Sequence, residues 1–311
     1  MRNEHILVLM GGSSSEREVS LRSGKAVADA LRKRFSRVSE WDLSDTNADE
    51  IARLKPDAVF IALHGKGGED GSIQQELEKM GFPYTGPGVE ASRLCIDKIL
   101  TKRRLLANQI PTPDFFEINE SDDIQKSTEK AYKTLGLPLV LKASCQGSSI
   151  GTVIVRRAEE LEKTVRELFL LGDTVLAEQF LSGMEVTVPI FGNDEVTVLP
   201  VIEIVSEGEF YDYQSKYTPG QSHHIIPARL DENSLETIRT LAADAYRVCG
   251  CRGLSRVDLI LDDRKNPYVI EINTIPGMTE TSLFPEAAEK AGICFPRLVE
   301  ILIDLALEGH K

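Results

Sequence analysis

The chain has 311 residues and a formal net charge of −13, and these two numbers exclude several functions. A chain of this length favours two or three structural units with clefts between them over one compact domain. The negative charge argues against binding to nucleic acid or to an anionic membrane, because either surface would require a basic field. We therefore expect no nucleic-acid partner and no membrane partner.

The cysteines and the apolar segments point to the interior of the cell. Five cysteines, odd in number and scattered, fit reduced thiols better than a disulfide framework. The apolar run at residues 6–10 is too short for the core of a signal peptide, and nothing approaches membrane-spanning length. We expect a cytoplasmic protein.

Strands and helices alternate through the first third of the chain. The predicted strands are residues 5–10, 37–42 and 57–63, and the predicted helices are residues 16–34, 48–54 and 73–80. This order is typical of a parallel sheet with helices on both faces. The sequence therefore predicts an α/β unit at the amino terminus.

The glycine-rich turn after the first strand allows two interpretations. Ser13 and Glu16 fit a capping box, which would give the turn a structural role only. A helix that begins at the carboxyl edge of a parallel sheet is also a place where small ligands bind. His64 follows the last strand of the unit at the same edge, so we keep both interpretations.

The middle of the chain predicts a small α+β unit. The predicted strands are residues 113–117, 138–142, 152–155 and 174–179, and the predicted helices are residues 97–108, 121–136 and 157–170. Lys142 ends one strand, and the glycine-bounded loop 147–151 that follows could wrap phosphate oxygens with its backbone N–H groups. The same loop could be an ordinary hairpin turn, and a strand rather than a helix follows it, which argues against a Walker A loop.

Two glutamates flank the next strand connection. Glu178 ends one strand and Glu185 begins the following one. Their carboxylates could accept hydrogen bonds from an exocyclic amine and a ribose hydroxyl, although two glutamates near a turn are also common on any surface.

Residues 185–203 are rich in strands, and a polar loop of about twenty residues then ends near Pro227. A loop of that length without secondary structure more often serves as a lid over a site than as a simple connection. We interpret His223 and His224, in the same region, as exposed loop residues. A helix, a hairpin and two closing helices complete the chain.

The hairpin is the most informative segment. Residues 257–261 and 268–272 alternate around aliphatic positions across a polar turn, which predicts an antiparallel pair. A register with Leu261 opposite Tyr268 places Asp258 opposite Glu271, and Asn273 shares the face of Glu271. Such oxygen ligands suit Mg²⁺ or Mn²⁺. A solvated hairpin with an acidic face is the alternative.

Read together, these segments resemble the D-alanine–D-alanine ligases of the ATP-grasp superfamily from residue 5 to residue 305. The resemblance is carried by several motifs in order: Gly11-Gly-Ser-Ser-Ser-Glu-Arg-Glu-Val-Ser-Leu21, Leu63-His-Gly65, Gly68-Glu-Asp-Gly71, Cys95-Ile-Asp-Lys98, Gly147-Ser-Ser-Ile-Gly151, Lys216-Tyr217, Arg256-Val-Asp258 and Glu271-Ile-Asn273-Thr-Ile-Pro-Gly-Met-Thr279.

The resemblance implies a Rossmann-like domain over residues 1–95 and a two-domain ATP-grasp fold. The central subdomain would span residues 96–183 and the catalytic domain residues 184–311, with a lid near residues 205–227. ATP would lie between these last two units.

The resemblance also implies the site residues. ATP would be bound by Lys98, Lys142, Ser148, Ser149, Glu178, Glu185 and Lys216. Two Mg²⁺ or Mn²⁺ ions would be bound by Asp258, Glu271 and Asn273. The residues that bind the two D-alanine molecules or take part in catalysis would be Glu16, His64, Ser148, Tyr217, Arg256, Gly277, Ser282 and Leu283. Among these, Arg256 and the Gly277 N–H would form an oxyanion site.

The implied activity is ATP-dependent formation of D-alanyl-D-alanine through D-alanyl phosphate, for peptidoglycan precursors, by a homodimer. Two alternatives stay open. One is a related carboxylate–amine ligase that uses D-lactate or D-serine, against which Tyr217 favours the plain dipeptide. The other is a nucleotide-binding regulatory module without turnover, which would release no ADP when D-alanine is added.

Overall fold

The computed structural model describes residues 1–43, 49–147, 150–172, 174–206, 222–279 and 281–309. Within these ranges it forms three sheets and the helices around them. The proposed lid residues Lys216 and Tyr217 and the loop serines Ser148 and Ser149 lie outside the described residues. None of the described helices is long and apolar enough to cross a membrane.

The first sheet is parallel, as predicted, with the strand order β2-β1-β3. Its strands are β1 (Arg2–Met10), β2 (Phe35–Asp42) and β3 (Ala58–Ile61), and its neighbouring helices are α1 (Arg17–Leu31), α2 (Asp49–Leu54), α3 (Ser72–Met80) and α4 (Val89–Ile96). We did not predict α4. Successive residues of β1 pack into two different cores, because Ile6 and Val8 lie on one face and Leu7 and Leu9 on the other.

The second sheet is antiparallel and has the order β4-β7-β5-β6. Its strands are β4 (Phe115–Ile118), β5 (Leu139–Ala143), β6 (Thr152–Val155) and β7 (Val175–Gln179). The helices packed on this sheet are α6 (Ile124–Leu135) and α7 (Leu161–Phe169), with a short 3-10 turn at Ala158–Glu160. Helix α5 (Lys98–Ala107) precedes β4 in the chain, but its Leu105 packs into the core of the third sheet. Apolar residues of α6 and α7 form one core with the sheet, so each segment lies where the sequence predicts it.

The third sheet carries the predicted hairpin. Its order is β11-β10-β8-β12-β13, and β9 pairs with β8. The strands are β8 (Gly183–Gly192), β9 (Val196–Val198), β10 (Ile202–Ser206), β11 (Ser222–Ile225), β12 (Gly253–Asp262) and β13 (Pro267–Asn273). The remaining helices are α8 (Glu232–Val248), α9 (Leu283–Lys290) and α10 (Phe295–Glu308). Leu298 and Leu302 of α10 belong to the same core as Ile6 and Val8, so the last helix packs against the first sheet.

The structure corrects two predictions about the third sheet. Leu261 pairs with Pro267 rather than with Tyr268, because Ile270 forms a β-bulge that shifts the register by one residue. Beyond that bulge Asp258 faces Glu271, as predicted. Residues 222–225, assigned to the long loop, form strand β11 against β10.

The capping box at the start of α1 is also wrong. Glu16 itself occupies the cap position, and no side chain caps the helix. Ser14 instead accepts a hydrogen bond from the Glu16 N–H at 3.2 Å and donates one to the carbonyl of His64 at 2.7 Å. The turn is therefore held to the end of the β3 segment and not to the helix alone.

Candidate active site

Two adjoining cavities lie where the three sheets approach one another. The larger has a volume of about 390 Å³ and lies between the second and third sheets. The smaller, of about 90 Å³, lies between the first sheet and the end of β13. Lys98 and Glu271 line both, so a molecule in one cavity would contact the same two charged groups as a molecule in the other.

The larger cavity is lined by most of the residues expected at the nucleotide. These are Lys98, Lys142, Glu178 and Glu185, and two of the predicted metal ligands, Asp258 and Glu271, line the same cavity. Apolar side chains such as Val140, Leu259 and Ile270 complete its walls. A partly apolar cavity of about 390 Å³ with a few charged groups suits a nucleotide better than a small amino acid.

Glu178 sits between two lysines on the inner wall of this cavity. Lys142 Nζ lies 2.5 Å from one oxygen of its carboxylate, and Lys102 Nζ lies 2.6 Å from the other. Burial alone would raise the pKa of the Glu178 carboxyl, but attraction to Lys102 and then to Lys142 outweighs it. The pKa of Glu178 is therefore lowered, and the carboxyl stays ionised although it is buried.

Lys98 reaches the junction of the cavities because helix α5 begins there. The Asp97 carboxylate caps this helix by accepting from the N–H groups of Ile99 and Leu100 at 2.9 and 3.1 Å. Lys98 Nζ donates to the carbonyl of Gln146 at 2.6 Å and lies 3.6 Å from Glu271 Oε2. The phosphate loop predicted around residue 147 is thus held close to this ammonium group.

The hairpin brings the predicted metal ligands to the junction. Asp258 pairs with Glu271, and Arg256 pairs with Asn273. Arg256 binds the Asp258 carboxylate through two hydrogen bonds of 2.9 and 2.8 Å, and Thr187 donates a third of 2.5 Å. These bonds fix the Asp258 carboxylate and hold the Arg256 guanidinium at the wall of the smaller cavity.

The donor set fits a hard divalent cation. Asp258 has one of its four lone-pair positions left after Arg256 and Thr187, and the Asn273 side-chain oxygen accepts only the Ile275 N–H among the bonds described. Among the described residues, no group of three or more His, Cys, Asp or Glu side chains is arranged to hold a metal. An ion at the hairpin would therefore need the Asn273 amide and further oxygen ligands from phosphate or water.

The smaller cavity collects the residues expected at the amino acids. Glu16, His64, Arg256, Gly277, Ser282 and Leu283 all line it. Gly65, with a φ of +71°, turns the chain beside Glu16, and a Cβ there would lie 2.8 Å from the Glu16 carboxylate. The buried Glu16 carboxylate therefore has a glycine-lined approach that larger residues would block.

His64 is held by the protein through both ring nitrogens. Nδ1 lies 3.1 Å from the carbonyl of Ile275, and Nε2 lies 3.2 Å from the hydroxyl of Ser23. Since a carbonyl can only accept, Nδ1 is the donor to Ile275, and in the neutral ring Nε2 then accepts from the Ser23 hydroxyl. The ring joins the first sheet to the segment after β13 on one side of the cavity.

Ser282, at the start of α9, lines the opposite side of the smaller cavity. Its Oγ accepts from the N–H of Thr279 at 2.9 Å and lies 2.7 Å from the Thr279 hydroxyl. A Cβ on Gly277 would lie 2.9 Å from that Oγ, so a larger residue there would displace the Ser282 hydroxyl. The N-terminus of α9 faces the cavity at Ser282 and Leu283, where its partial positive charge favours a carboxylate.

The charged residues near the cavities that were not predicted include Glu69, Lys102 and Arg156, which lines the larger cavity. Glu69 lines the smaller cavity, 3.9 Å from His64 Nδ1. Lys102 lies behind the larger cavity with none of its side chain exposed. The acidic Gly68-Glu-Asp-Gly71 motif and the position of Lys102 one helical turn after Lys98 were the available signals.

The interpretation of the two lid histidines as loop residues is wrong. Both belong to strand β11, where His223 is exposed and His224 is largely covered. His224 Nδ1 lies 2.7 Å from the Glu286 carboxylate of helix α9. This contact joins β11 to the helix that begins at Ser282.

Known proteins resemble the chain over nearly its whole length. The family model of the D-ala D-ala ligase C-terminus matches residues 105–304, and that of the D-ala D-ala ligase N-terminus matches residues 37–87. The D-alanine–D-alanine ligase of Moorella thermoacetica is 52% identical over 309 residues, which cover 97% of this chain and 99% of the relative. The chain belongs to the D-alanine–D-alanine ligase family.

Other members of the family agree with this assignment. The D-alanine–D-alanine ligase of Carboxydothermus hydrogenoformans is 48% identical over 98% of both chains. The crystal structure of the Bacillus anthracis ligase complexed with ATP superposes with a TM-score of 0.86 at 32% identity, over 99% of this chain and 98% of that one. The predicted family and its α/β, ATP-grasp fold are therefore confirmed, whereas the proposed domain boundaries stay predictions.

A ligase with a different second substrate has a similar fold. The VanG D-Ala:D-Ser ligase of Enterococcus faecalis also superposes with a TM-score of 0.86, at 29% identity over 98% of this chain and all of that one. The fold is thus shared by ligases whose names give different second substrates, so the fold alone does not identify the second substrate of this chain.

Proposed function

We propose that the chain joins two D-alanine molecules at the expense of ATP, through D-alanyl phosphate, and so supplies D-alanyl-D-alanine for peptidoglycan. The family assignment supports the overall reaction. The main structural support for the proposed site is the pair of adjoining cavities, which share Lys98 and Glu271. One suits a nucleotide, and the other offers a carboxylate and a helix N-terminus to small zwitterions.

The first step transfers the γ-phosphate of ATP to the carboxylate of one D-alanine. An oxygen of that carboxylate forms a bond to phosphorus as the bond to ADP breaks. Lys98 and Lys142 neutralise phosphate charge, and Glu178 and Glu185 hold the adenine and ribose. Glu16 holds the ammonium group of this D-alanine near the nucleotide. Fixed cations placed where negative charge develops lower the barrier of such a step.

The second step makes the peptide bond. The amine of the other D-alanine attacks the acyl phosphate carbon, and phosphate leaves. Arg256 and the Gly277 N–H face the carbonyl oxygen on which negative charge develops. Ser282 and Leu283, at the start of α9, receive the carboxylate of the attacking D-alanine. His64 holds the wall of the same cavity through Ser23 and Ile275.

Two Mg²⁺ or Mn²⁺ ions would be held by Asp258, Glu271 and Asn273. When bound, they would supply charge neutralisation for the triphosphate. The protein's own part is to fix these oxygens, and Arg256 does so for Asp258 through its paired hydrogen bonds.

The serine and lid residues stay predictions from the sequence. Ser148, Ser149 and Lys216 would contact the nucleotide phosphates. Tyr217 would form a hydrogen-bonded link with Ser148 and Glu16, which excludes the water that would hydrolyse the acyl phosphate.

The active form would be a homodimer in the cytoplasm, where ATP is available. Light scattering behind a sizing column tests the dimer, and a monomer mass at working concentrations would contradict it. Fractionation of the cells that make the protein tests its location, and recovery with the membrane fraction would contradict it.

The test of the function is release of ADP and phosphate when D-alanine is added, together with chromatographic detection of D-alanyl-D-alanine. D-Serine, D-lactate and L-alanine are supplied in parallel as second substrates. We expect D-alanine to be preferred. Faster turnover with D-serine or D-lactate would reassign the second substrate, and tight ATP binding without ADP release would favour the regulatory module.

A further inference from the structure

Lys102 is the most deeply buried charged residue beside the larger cavity. None of its side chain is exposed, and it does not line the cavity. Its Nζ donates to the Thr112 hydroxyl at 2.7 Å and to the carbonyl of Pro113 at 3.1 Å, and it lies 2.6 Å from Glu178 Oε2. Burying an ammonium group destabilises the fold unless the group is paired. The position of Lys102 therefore suggests a role in addition to packing.

Lys102, Lys142 and Glu178 form a group with one net positive charge. Each lysine binds a different oxygen of the same carboxylate. Only Lys142 and Glu178 also line the cavity. If Lys142 left Glu178 to meet a phosphate, a protein without Lys102 would keep a buried carboxylate with no cation, which is strongly unfavourable.

We propose that Lys102 is a positioning residue of the nucleotide site, which keeps Glu178 paired so that Lys142 can exchange this carboxylate for a phosphate oxygen of ATP. This inference rests on the proposed binding of ATP in the larger cavity. Lys102 itself touches no substrate and acts only through Glu178.

The test compares ligands with and without phosphates. Dissociation constants for ATP and for adenosine are measured by titration calorimetry, with Mg²⁺ and without D-alanine. The variants are Lys102→Met, Glu178→Gln and the double variant. Methionine keeps the length of the lysine stem without its charge. Lys163→Met is the matched control, since Lys163 is 81% exposed on α7.

In Lys102→Met, Lys142 is the one lysine of this three-residue group left to pair with Glu178, so we expect ATP to bind about tenfold more weakly or worse. Adenosine, which has no phosphate for Lys142, should keep its affinity to within about threefold. The double variant frees Lys142 again, so its affinity for ATP should return to that of Glu178→Gln alone. Equal losses for ATP and adenosine that the double variant does not relieve would reduce Lys102 to a packing role.

A measurement on the unmodified protein decides the matter if Lys102→Met fails to fold. Burial lowers the pKa of Lys102 to about 8, against the attraction of Glu178 on β7 and Asp114 before β4, while Lys142 on β5 lowers it further. Loss of the Lys102 proton as pH rises from about 7 to about 9 should weaken ATP binding several-fold. The effect should be smaller in Glu178→Gln and absent for adenosine. A flat profile for ATP in the parent would overturn the inference.

The inference and the proposed function can fail separately. A parent protein that binds ATP but makes no dipeptide would contradict the ligase activity. The ATP and adenosine dissociation constants would then still test the role of Lys102. Unchanged ATP binding in Lys102→Met, with normal ligation in the parent, would contradict only the inference. A parent that does not bind ATP would contradict both.

Discussion

Glu271→Gln should lower the turnover number while leaving the stability of the fold nearly unchanged. Within the described ranges Glu271 is the one carboxylate that lines both cavities, and its Oε2 lies 3.6 Å from Lys98 Nζ. Glutamine keeps the shape of the side chain and removes one negative charge. What changes is therefore the electrostatic potential felt by cations at the junction of the cavities.

The distance gives the scale of the effect. Two unit charges 3.6 Å apart interact by roughly 4–5 kcal/mol at an effective dielectric constant of about 20. The Glu271 side chain is 28% exposed, so solvent screens part of this energy. We expect about 3 kcal/mol of lost transition-state stabilisation, which corresponds to a fall in turnover of about 100-fold.

The measurement is ADP release at saturating ATP and D-alanine over a series of Mg²⁺ concentrations. The turnover number should fall and the Mg²⁺ concentration required should rise, while the melting temperature stays near that of the parent. Asp263→Asn is the matched control, because it removes the same charge from the exposed turn of the same hairpin. Near-normal turnover of Glu271→Gln at saturating Mg²⁺ would refute this reasoning.

Three further variants and one treatment test the rest of the site. Gly277→Ala places a Cβ 2.9 Å from Ser282 Oγ and should raise the KM for D-alanine about tenfold without changing ATP binding; an unchanged KM would remove α9 from the substrate site. Glu16→Gln weakens the hold on an ammonium group and should raise the same KM by a factor of ten or so, which initial rates will check. Tyr246→Phe leaves the buried Gly192 carbonyl without its 2.7 Å donor and should lower the free energy of unfolding by ~1–2 kcal/mol in urea titrations, with turnover intact. Removal of divalent cations with EDTA should abolish ADP release but preserve the circular dichroism spectrum; full activity in EDTA would contradict the metal proposal.

The final variant concerns the link across the proposed lid and tests coupling. Tyr217→Phe should increase the ADP formed per dipeptide, since a lost hydrogen bond of about 1–2 kcal/mol would weaken exclusion of water from the acyl phosphate. An unchanged ratio at an unchanged rate would make Tyr217 an ordinary surface residue.

The sequence by itself determined the order of the elements and the residues that can do chemistry. Alternation of aliphatic residues along β12 and β13 is a local property, because side chains two apart share a face of a strand. Together with an assumed register it placed Asp258 opposite Glu271, which the structure confirms. The alternation of strands and helices likewise predicted a parallel sheet covered by helices on both faces, and the run Ile6–Leu9 of β1 is buried on both. The motifs added the family, which the comparisons confirm.

Tertiary structure alone decided which distant groups meet. The bulge at Ile270 depends on how β13 pairs with β12, and local sequence patterns do not specify it. The pairing of Lys102 with Glu178 joins a helix to a strand 76 positions later, and the pKa of both groups depends on burial that only the packed chain creates. His64 gains its two partners from α1 and from the segment after β13 in the same way. Periodicity is set by neighbours along the chain, whereas charge pairing and desolvation are set by neighbours in space, so the sequence predicted the parts of the site and the fold determined their connections.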